Sequence, residues 1–201
     1  MTINNLKWEN MAIYTNENTG EGTDGKFGYD LFAGKIVEID YDKKRLIVHK
    51  TLPKVADKYT KSSFKIIQGS IYIGAALTIG EEIYQDDFMF HTGYGGSILL
   101  DPKIGEKHKM QSQLVTISAS ELRDSFNNII KIETKQLPQI SLGGEALKNV
   151  PVSFAAQSSA IPMKVLGNDL LKRFNVIFDF QKNEIYFKTN EFKAMPFAVK
   201  K

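Results

Sequence analysis

The chain has 201 residues, of which 42% are hydrophobic and 24% charged, and its formal net charge is +3. This length and composition predict a globular protein with a substantial core, built as one body or as two sub-lobes. The absence of cysteine excludes disulfides, cysteine-ligated zinc and a cysteine nucleophile. No apolar stretch reaches the length of a membrane span, and residues 1–25 contain no apolar signal segment.

The order of the elements predicts an all-β protein with few helices. Residues 6–14 indicate one short strand, and residues 15–25 a polar loop. The predicted strands from there on lie at 36–41, 46–48, 64–67, 70–77, 88–90, 98–100, 113–118, 129–134, 136–142, 150–155, 175–180 and 184–187. Residues 79–84 continue the β pattern across a turn at 80–82. A short helix or loop is predicted at 101–109 and a short helix at 165–174.

The longest basic run, Lys43, Lys44 and Arg45, lies in the turn of the first predicted hairpin. A run this short is typical of a solvated turn, so we expect no nucleic-acid surface. Turn geometry also accounts for Asp40 and Asp179, which recur at the turns of the first and the last hairpin.

Residues 88–101 form the most informative stretch, Phe-Met-Phe-His-Thr-Gly-Tyr-Gly-Gly-Ser-Ile-Leu-Leu-Asp. Two apolar runs, 88–90 and 98–100, enclose a glycine-rich loop that starts at His91. The pattern predicts a buried strand, a tight turn and a return into the core. Because active sites are often mounted on loops held by buried elements, this loop is the candidate site.

Two segments of the sequence match at a constant offset in residue number, the offset that brings Gly28 onto Gly167. Residues 28–32, Gly-Tyr-Asp-Leu-Phe, correspond to residues 167–171, Gly-Asn-Asp-Leu-Leu, and a strand, an Asp-aromatic turn and a second strand follow each of them. A match this specific predicts two copies of one supersecondary unit. The alternative is two unrelated hairpins with similar turns.

The central stretch resembles the catalytic loop of the aspartic peptidases, whose signature is apolar-apolar-Asp-Thr/Ser-Gly. His91 stands in the position of the aspartate, and Thr92 and Gly93 follow it. The family has a second element, an apolar-apolar-Gly segment that crosses near the catalytic loop and leads to a helix. That element is matched by Val165, Leu166 and Gly167, and only in part by Lys26, Phe27 and Gly28, since Lys26 is not apolar.

The resemblance is to the retropepsin-like bacterial members of this family, and it implies a mainly β fold with an acid-protease β-barrel lobe. This lobe would span residues 61–190, after the closing part of a preceding lobe at 1–60 and before a tail at 191–201. The spacing that separates His91 from Gly167, measured back from Gly28, ends well upstream of Met1. The resemblance therefore implies that the first half of the first lobe is missing, in a fragment or in a natural truncation.

In aspartic peptidases two carboxylates share one proton and activate a water that attacks the peptide carbonyl. The resemblance implies a bracing hydroxyl at Thr92, close backbone approach at Gly93 and substrate contacts at Tyr94 and Gly95. Histidine is neutral or cationic where this chemistry needs an anion or a shared proton. The sequence offers no second Asp-Thr/Ser-Gly, so we expect an aspartic-peptidase-like protein that is inactive as it stands.

Four interpretations of His91 remain open: a degenerate inactive relative, a substituted copy of an active parent, a structural histidine, and a catalytic histidine of another chemistry. The alternative function is a non-catalytic peptide-binding or scaffold module, homodimeric as single-lobe relatives are. The expected partners are thus a peptide or protein ligand, together with the missing lobe half or a second copy. No cofactor is expected, and the location is periplasmic or secreted if the chain belongs to a longer signal-bearing protein, otherwise cytoplasmic.

Other constellations are weak. Ser97, His91 and Asp101 share one loop, which supplies no oriented base for a nucleophilic triad. The glycine-rich run at 93–96 lacks the Lys-Ser/Thr of a phosphate-binding loop. No metal site is predicted, because the histidines and the nearby acidic pair share no ligand spacing. These residues are His49, His91, His108, Asp86 and Asp87.

Overall fold

The computed structural model describes residues 2–3, 6–9, 14, 25–123, 129–156 and 163–199, and within them the chain is mainly β. The strands are β1 (Thr2–Ile3), β2 (Leu6–Lys7), β3 (Ile36–Asp40), β4 (Arg45–His49), β5 (Thr60–Ile67), β6 (Ser70–Ile79), β7 (Glu82–His91), β8 (Ile98–Leu100), β9 (Val115–Arg123), β10 (Ile129–Leu142), β11 (Glu145–Ala155), β12 (Lys164–Gly167), β13 (Phe174–Asp179) and β14 (Glu184–Thr189).

The helices in the described part of the chain are short. The α-helices are α1 (Pro102–Lys107), α2 (Met110–Gln113) and α3 (Asn168–Leu171), and the 3-10 helices are Tyr29–Phe32, Lys54–Lys58 and Glu191–Ala194. None of the helices described is long and apolar enough to cross a membrane.

Six strands close into a barrel in the order β6, β7, β12, β8, β11, β10, because β10 pairs back onto β6. Along β6 the side chains of Ile73, Ala75, Leu77 and Ile79 are buried, and the residues between them are more exposed. This period of two is what a strand with one face toward the core requires. The predicted mainly β fold with a barrel lobe is therefore confirmed.

The short strand β12 passes between the two arms of the central stretch. It runs parallel to β7, with Gly167 opposite His91 in register, and antiparallel to β8. Val165 and Leu166 are buried there, since apolar residues are needed between two core strands. The loop at 92–97 is thus held between two strands that both pair with β12.

The barrel continues into a further sheet in the order β4, β3, β13, β14, β5, β6. The pairing of β3 with β13 is symmetric about Glu38 and Ile177, because Val37 pairs with Phe178 and Ile39 with Val176. At the offset that brings Gly28 onto Gly167, each of these two pairs maps onto the other. The first hairpin and the last hairpin are therefore related by an approximate two-fold axis.

The elements flanking these hairpins also correspond at that offset. The helices Tyr29–Phe32 and Asn168–Leu171 start after Gly28 and Gly167, whose φ/ψ values are −106°/−179° and −100°/175°. The hairpin turns place Lys44 at φ 53° and Asn183 at φ 55°, a left-handed conformation that tight turns often need. Local backbone geometry thus follows the sequence match.

The two hairpin units are also joined by hydrogen bonds. The Tyr41 hydroxyl donates to Asn168 Oδ1 at 2.6 Å, and the Tyr41 N–H donates to Asn175 Oδ1 at 2.9 Å. Burial raises the pKa of Tyr41 to about 12, so the phenol remains a donor at neutral pH. The turn of the first hairpin is in this way fixed to the start of α3.

Several predicted elements need correction. The helix predicted at 165–174 is strand β12 followed by the four-residue α3, because residues 165–167 insert between β7 and β8. The two strands predicted at 129–142 are one strand, β10, with a register shift between Thr134 and Lys135 that breaks the alternation. Gln113 belongs to α2 rather than to a strand. Of the strand predicted at 6–14, β2 covers Leu6–Lys7, and most of the remainder lies outside the described residues.

Candidate functional site

The candidate site is the loop that begins where β7 ends. His91 is the last residue of β7, and its carbonyl oxygen accepts a hydrogen bond from the Tyr94 N–H at 3.1 Å, which closes the turn. The loop then runs to Ser97 and enters β8, a strand whose three residues are all buried. A buried strand on either side therefore fixes both ends of the loop.

The start of α3 clamps this loop from behind. The N–H groups of Gly167, Asn168 and Asp169 donate to the carbonyl oxygens of Ser97 (2.8 Å), Tyr94 (2.7 Å) and Gly96 (3.2 Å) respectively. A Cβ on Gly167 would collide with the Gly96 carbonyl oxygen and lie 2.7 Å from that of Tyr94. Because backbone atoms cannot retreat as a side chain can, this position requires glycine.

Asp169 is the buried polar centre of the clamp. Its side chain accepts hydrogen bonds from the Ser97 hydroxyl at 2.9 Å and the Ala198 N–H at 3.0 Å, and it pairs with Lys172 at 2.8 Å. Burial alone would raise the pKa of Asp169, but the bonds from Lys172, Ala198 and Ser97 outweigh burial and lower it. The carboxylate is thus ionised and joins the loop, α3 and the C-terminal tail.

A cavity of about 350 Å³ opens in front of His91. Its lining residues are Phe27, Gly28, Tyr29, Phe32, Val37, Ile39, Leu46, Gly69, Ser70, Ile71, Met89, Phe90, His91, Thr92, Phe178 and Phe180. The lining is largely aromatic and aliphatic, and no aspartate or glutamate belongs to it among the residues described. This volume and apolar character are typical of ligand pockets.

The imidazole of His91 is exposed at the mouth of this cavity, but protein atoms surround much of it. Desolvation lowers the pKa of His91, and the charge of Lys26 lowers it further. Both causes favour the neutral ring. His91 is therefore mostly uncharged at neutral pH.

Thr92 and Gly93 follow His91 on the exposed side of the loop. Thr92 lines the cavity. A Cβ on Gly93 would lie 2.9 Å from Cε1 of the His91 ring, so it is this ring that approaches Gly93 closely. The bracing role expected of Thr92 needs a second loop and remains a prediction.

Tyr94 and Gly95 do not belong to the described lining of this cavity and instead line a smaller pocket, together with Ser97 and Ser153. The Tyr94 ring packs with Leu99 and Val165, and its hydroxyl is hydrogen-bonded to Ser153. Burial raises the pKa of Tyr94, although the bond with Ser153 opposes this change. The substrate contacts predicted for Tyr94 and Gly95 remain predictions.

The weaker constellations do not assemble around His91. The Ser97 hydroxyl donates to Asp169, and the Asp101 carboxylate caps α1 through the Lys103 N–H at 3.0 Å. His49 pairs with Glu38 at 2.7 Å on the first hairpin. Nowhere in residues 25–123, 129–156 and 163–199 do three or more possible metal ligands form a cluster.

Sequence analysis missed two residues that shape the site. In the sequence Asp169 is part of the repeated Gly-x-Asp-Leu and Lys26 interrupts the apolar pattern, and neither pattern by itself predicts a role at the site. The signal for Asp169 was present in its recurrence at Asp30, because a repeated acidic residue next to a helix start suggests a fixed hydrogen-bonding role. No sequence signal placed Lys26 near His91, since the two residues lie far apart along the chain.

Comparison with known proteins gives structural neighbours only. No protein-family model matches the chain, and no curated protein matches it. A retropepsin-like aspartic protease from Rickettsia conorii is similar over 63% of this chain and 89% of its own length, with 21% identity and a TM-score of 0.44. Basic 7S globulin from soybean is similar over 80% of this chain, with 12% identity and a TM-score of 0.45. This chain spans about half (52%) of the globulin.

Proposed function

We propose that this chain is an aspartic-peptidase-like protein that does not hydrolyse peptide bonds in this form. The observation that supports the proposal most directly is the position of His91. It ends a core strand, lies in register with Gly167 and faces a cavity whose described lining includes no carboxylate. This position supports the interpretation of the loop as a catalytic loop that lacks its acid.

The chemistry of the family gives the reason for the proposed inactivity. An aspartic peptidase needs one carboxylate as base and a second, protonated carboxylate as acid, with the proton shared between them. The neutral imidazole of His91 brings no such proton to share, and its lowered pKa reduces its strength as a base. A water at this loop is consequently not activated by the family's mechanism.

The proposal includes a two-lobe plan with an internal duplication. Residues 1–60 would be the closing part of a first lobe, 61–190 a complete second lobe and 191–201 a tail. The support is the equivalence of the two glycine–helix–hairpin units and the symmetric pairing of β3 with β13. On this plan the barrel carries one of two site loops.

A second candidate is a non-catalytic peptide-binding or scaffold module, favoured by the apolar cavity in front of His91. A homodimer of this module would not use the edge of β13, since β3 already pairs there. Calorimetry with apolar hexapeptides tests binding. Leu46→Ser changes the cavity lining and should weaken binding, whereas Ile83→Ser changes an exposed residue on β7 and should not.

The main proposal is tested by mass-spectrometric detection of cleavage in a peptide library, from about pH 3 to about pH 7, where carboxylate dyads are active. The unmodified chain, His91→Asn and His91→Asp should all leave the library intact, because His91→Asp restores one carboxylate of two. Cleavage by the unmodified chain that His91→Asn abolishes would overturn the proposal. Cleavage by His91→Asp alone, blocked by a hydroxyl-containing transition-state mimic, would show a second carboxylate within reach.

A further inference from the structure

Two apolar residues beside the cavity are exposed although their equivalents are fully buried. Phe27 is 63% exposed and Leu46 is 44% exposed. Their counterparts in the last of the two glycine–helix–hairpin units, Leu166 and Ile185, are both 0% exposed. Monomeric proteins seldom expose contiguous apolar surface without a reason. The first unit thus presents a surface that the last unit keeps covered.

In the last unit, the residues that pack over this surface can be named. At Gly167 the loop at 94–97 packs so closely that a Cβ would strike backbone oxygens. At the equivalent Gly28, a Cβ would meet, among the described residues, only the end of the Asp30 side chain, at 2.7 Å. The place that the 94–97 loop fills beside Gly167 is, beside Gly28, part of the cavity in front of His91.

The two units also differ in whether the outer edge of their last strand is paired. The outer edge of β14 pairs with β5, whereas no described strand pairs with the outer edge of the equivalent β4. A free edge strand is a template for pairing with another chain. In the β14–β5 pair, Lys61 forms an ion pair with Glu184 at 2.6 Å. The equivalent of Glu184 on β4 is Arg45, so the charge is reversed.

We propose that β4 and the cavity beside Gly28 together bind a strand-and-loop segment of another polypeptide. The segment is built like residues 60–100 of this chain, with an acidic residue in the place of Lys61, diagonal to Arg45 across the strand pair. Its strand extends the sheet at β4, and its loop lies beside Gly28 and faces His91. The inference rests on the proposed function, because it treats the His91 loop as one half of a two-loop site.

The absence of cysteine from the chain makes the test direct, since an introduced thiol pair is the only pair present. The probe is a separate polypeptide of residues 60–123 that carries Lys61→Glu and Ser62→Cys. The chain carries Leu46→Cys, because its equivalent Ile185 is the register partner of Ser62. Paired positions on antiparallel strands lie within disulfide reach. We expect a disulfide between chain and probe.

Matched variants locate the contact. Ile83→Cys, 69% exposed on β7, should not cross-link to the probe. Gly28→Leu should block cross-linking by filling the cavity, whereas Gly74→Leu, on an open strand position, should not. A probe that keeps Lys61 should bind about fivefold more weakly, because two positive charges then lie at diagonal positions within reach of each other.

A second format of the experiment detects the contact even if the probe binds weakly. The probe is fused to the N-terminus of the chain through a flexible Gly/Ser linker, which raises its local concentration to roughly the millimolar range. Absence of the disulfide in both formats overturns the proposal. Cross-linking of Leu46→Cys between two chains without probe also overturns it, in favour of a second copy. Labelling of the Leu46→Cys thiol much slower than that of Ile66→Cys, a position of similar exposure (42%), overturns it as well, because the surface is then already covered.

The outcomes separate this inference from the proposed function. Peptide cleavage by the unmodified chain would overturn the proposed function whatever the cross-linking result. A missing cross-link, with no cleavage, would overturn the partner and leave the proposed function in place. A register-specific cross-link without cleavage is the result that both proposals expect.

Discussion

The Ser97 hydroxyl donates a 2.9 Å hydrogen bond to Asp169 Oδ2, between residues that are distant in the sequence and both buried. The same carboxylate accepts from the Ala198 N–H and pairs with Lys172. One ionised group therefore holds the end of the site loop, α3 and the tail together. The conformation of the His91 loop depends on a residue that does not touch the cavity.

Asp169→Asn should destabilise the protein by about 2 kcal/mol, because a buried charge-assisted network loses its charge. Urea unfolding followed by circular dichroism measures the change. Asp87→Asn, which removes the exposed pair with Lys65, is the matched control and should cost no more than about 1 kcal/mol. Equal losses for both variants would show that the network has no special weight.

The same residue predicts an acid dependence of stability. The pKa of Asp169 is lowered in the folded protein, so its stabilising contribution is complete above about pH 4, the unfolded value. The contribution is lost as the pH falls below that value and through the lowered pKa of the folded state. Unfolding midpoints measured at decreasing pH should thus fall less steeply for Asp169→Asn than for the unmodified chain. Parallel curves would contradict this sign.

Gly167→Ala and Gly28→Ala form a second matched pair. The Cβ at 167 meets backbone oxygens of the site loop, and we expect a loss of about 3 kcal/mol. In the described part of the chain the Cβ at 28 meets only the movable Asp30 carboxylate, and we expect about 1 kcal/mol or less. Neither glycine has a positive φ, so backbone strain does not enter the comparison. Similar losses at both positions would mean that a rigid cover also lies beside Gly28.

Phe197 anchors the tail on a fully buried arginine. The Arg173 guanidinium carbon lies 3.7 Å from the Phe197 ring centroid, and Arg173 Nη2 donates to the Met195 carbonyl oxygen at 3.0 Å. Phe197→Leu keeps apolar volume but removes the cation–π contact, and should cost about 1 kcal/mol in urea unfolding. Val199→Ala, an exposed control in the same tail, should stay within about 0.5 kcal/mol.

Much of the fold could be predicted from local patterns. Alternation along β6 and the apolar runs around the His91 loop gave the barrel strands, because one buried face imposes a period of two. The constant offset between the two matching segments predicts two copies of one unit; this duplication remains a prediction, and in the structure a short helix and a left-handed turn residue occur at matching positions of both segments. Each of these features depends on residues close in sequence or on a direct comparison of two short segments.

The errors arose where distant residues decide the outcome. Residues 165–167 resemble the start of an apolar helix, and only their insertion between β7 and β8 makes them a strand. The roles of Asp169 and Lys26 depend likewise on partners far along the chain. The cavity in front of His91 is formed by segments that range from Phe27 to Phe180, and no local pattern reports such a contact.

The central claim is that no carboxylate of the described residues faces His91, and an NMR titration of its imidazole in the unmodified protein tests it most directly. His91→Asn assigns the signal, and His49 and His108 are followed in the same spectra. Desolvation and the Lys26 charge predict a pKa below the ordinary value of about 6.5. A pKa clearly above that value would contradict the account, because it would require an anionic group beside the ring.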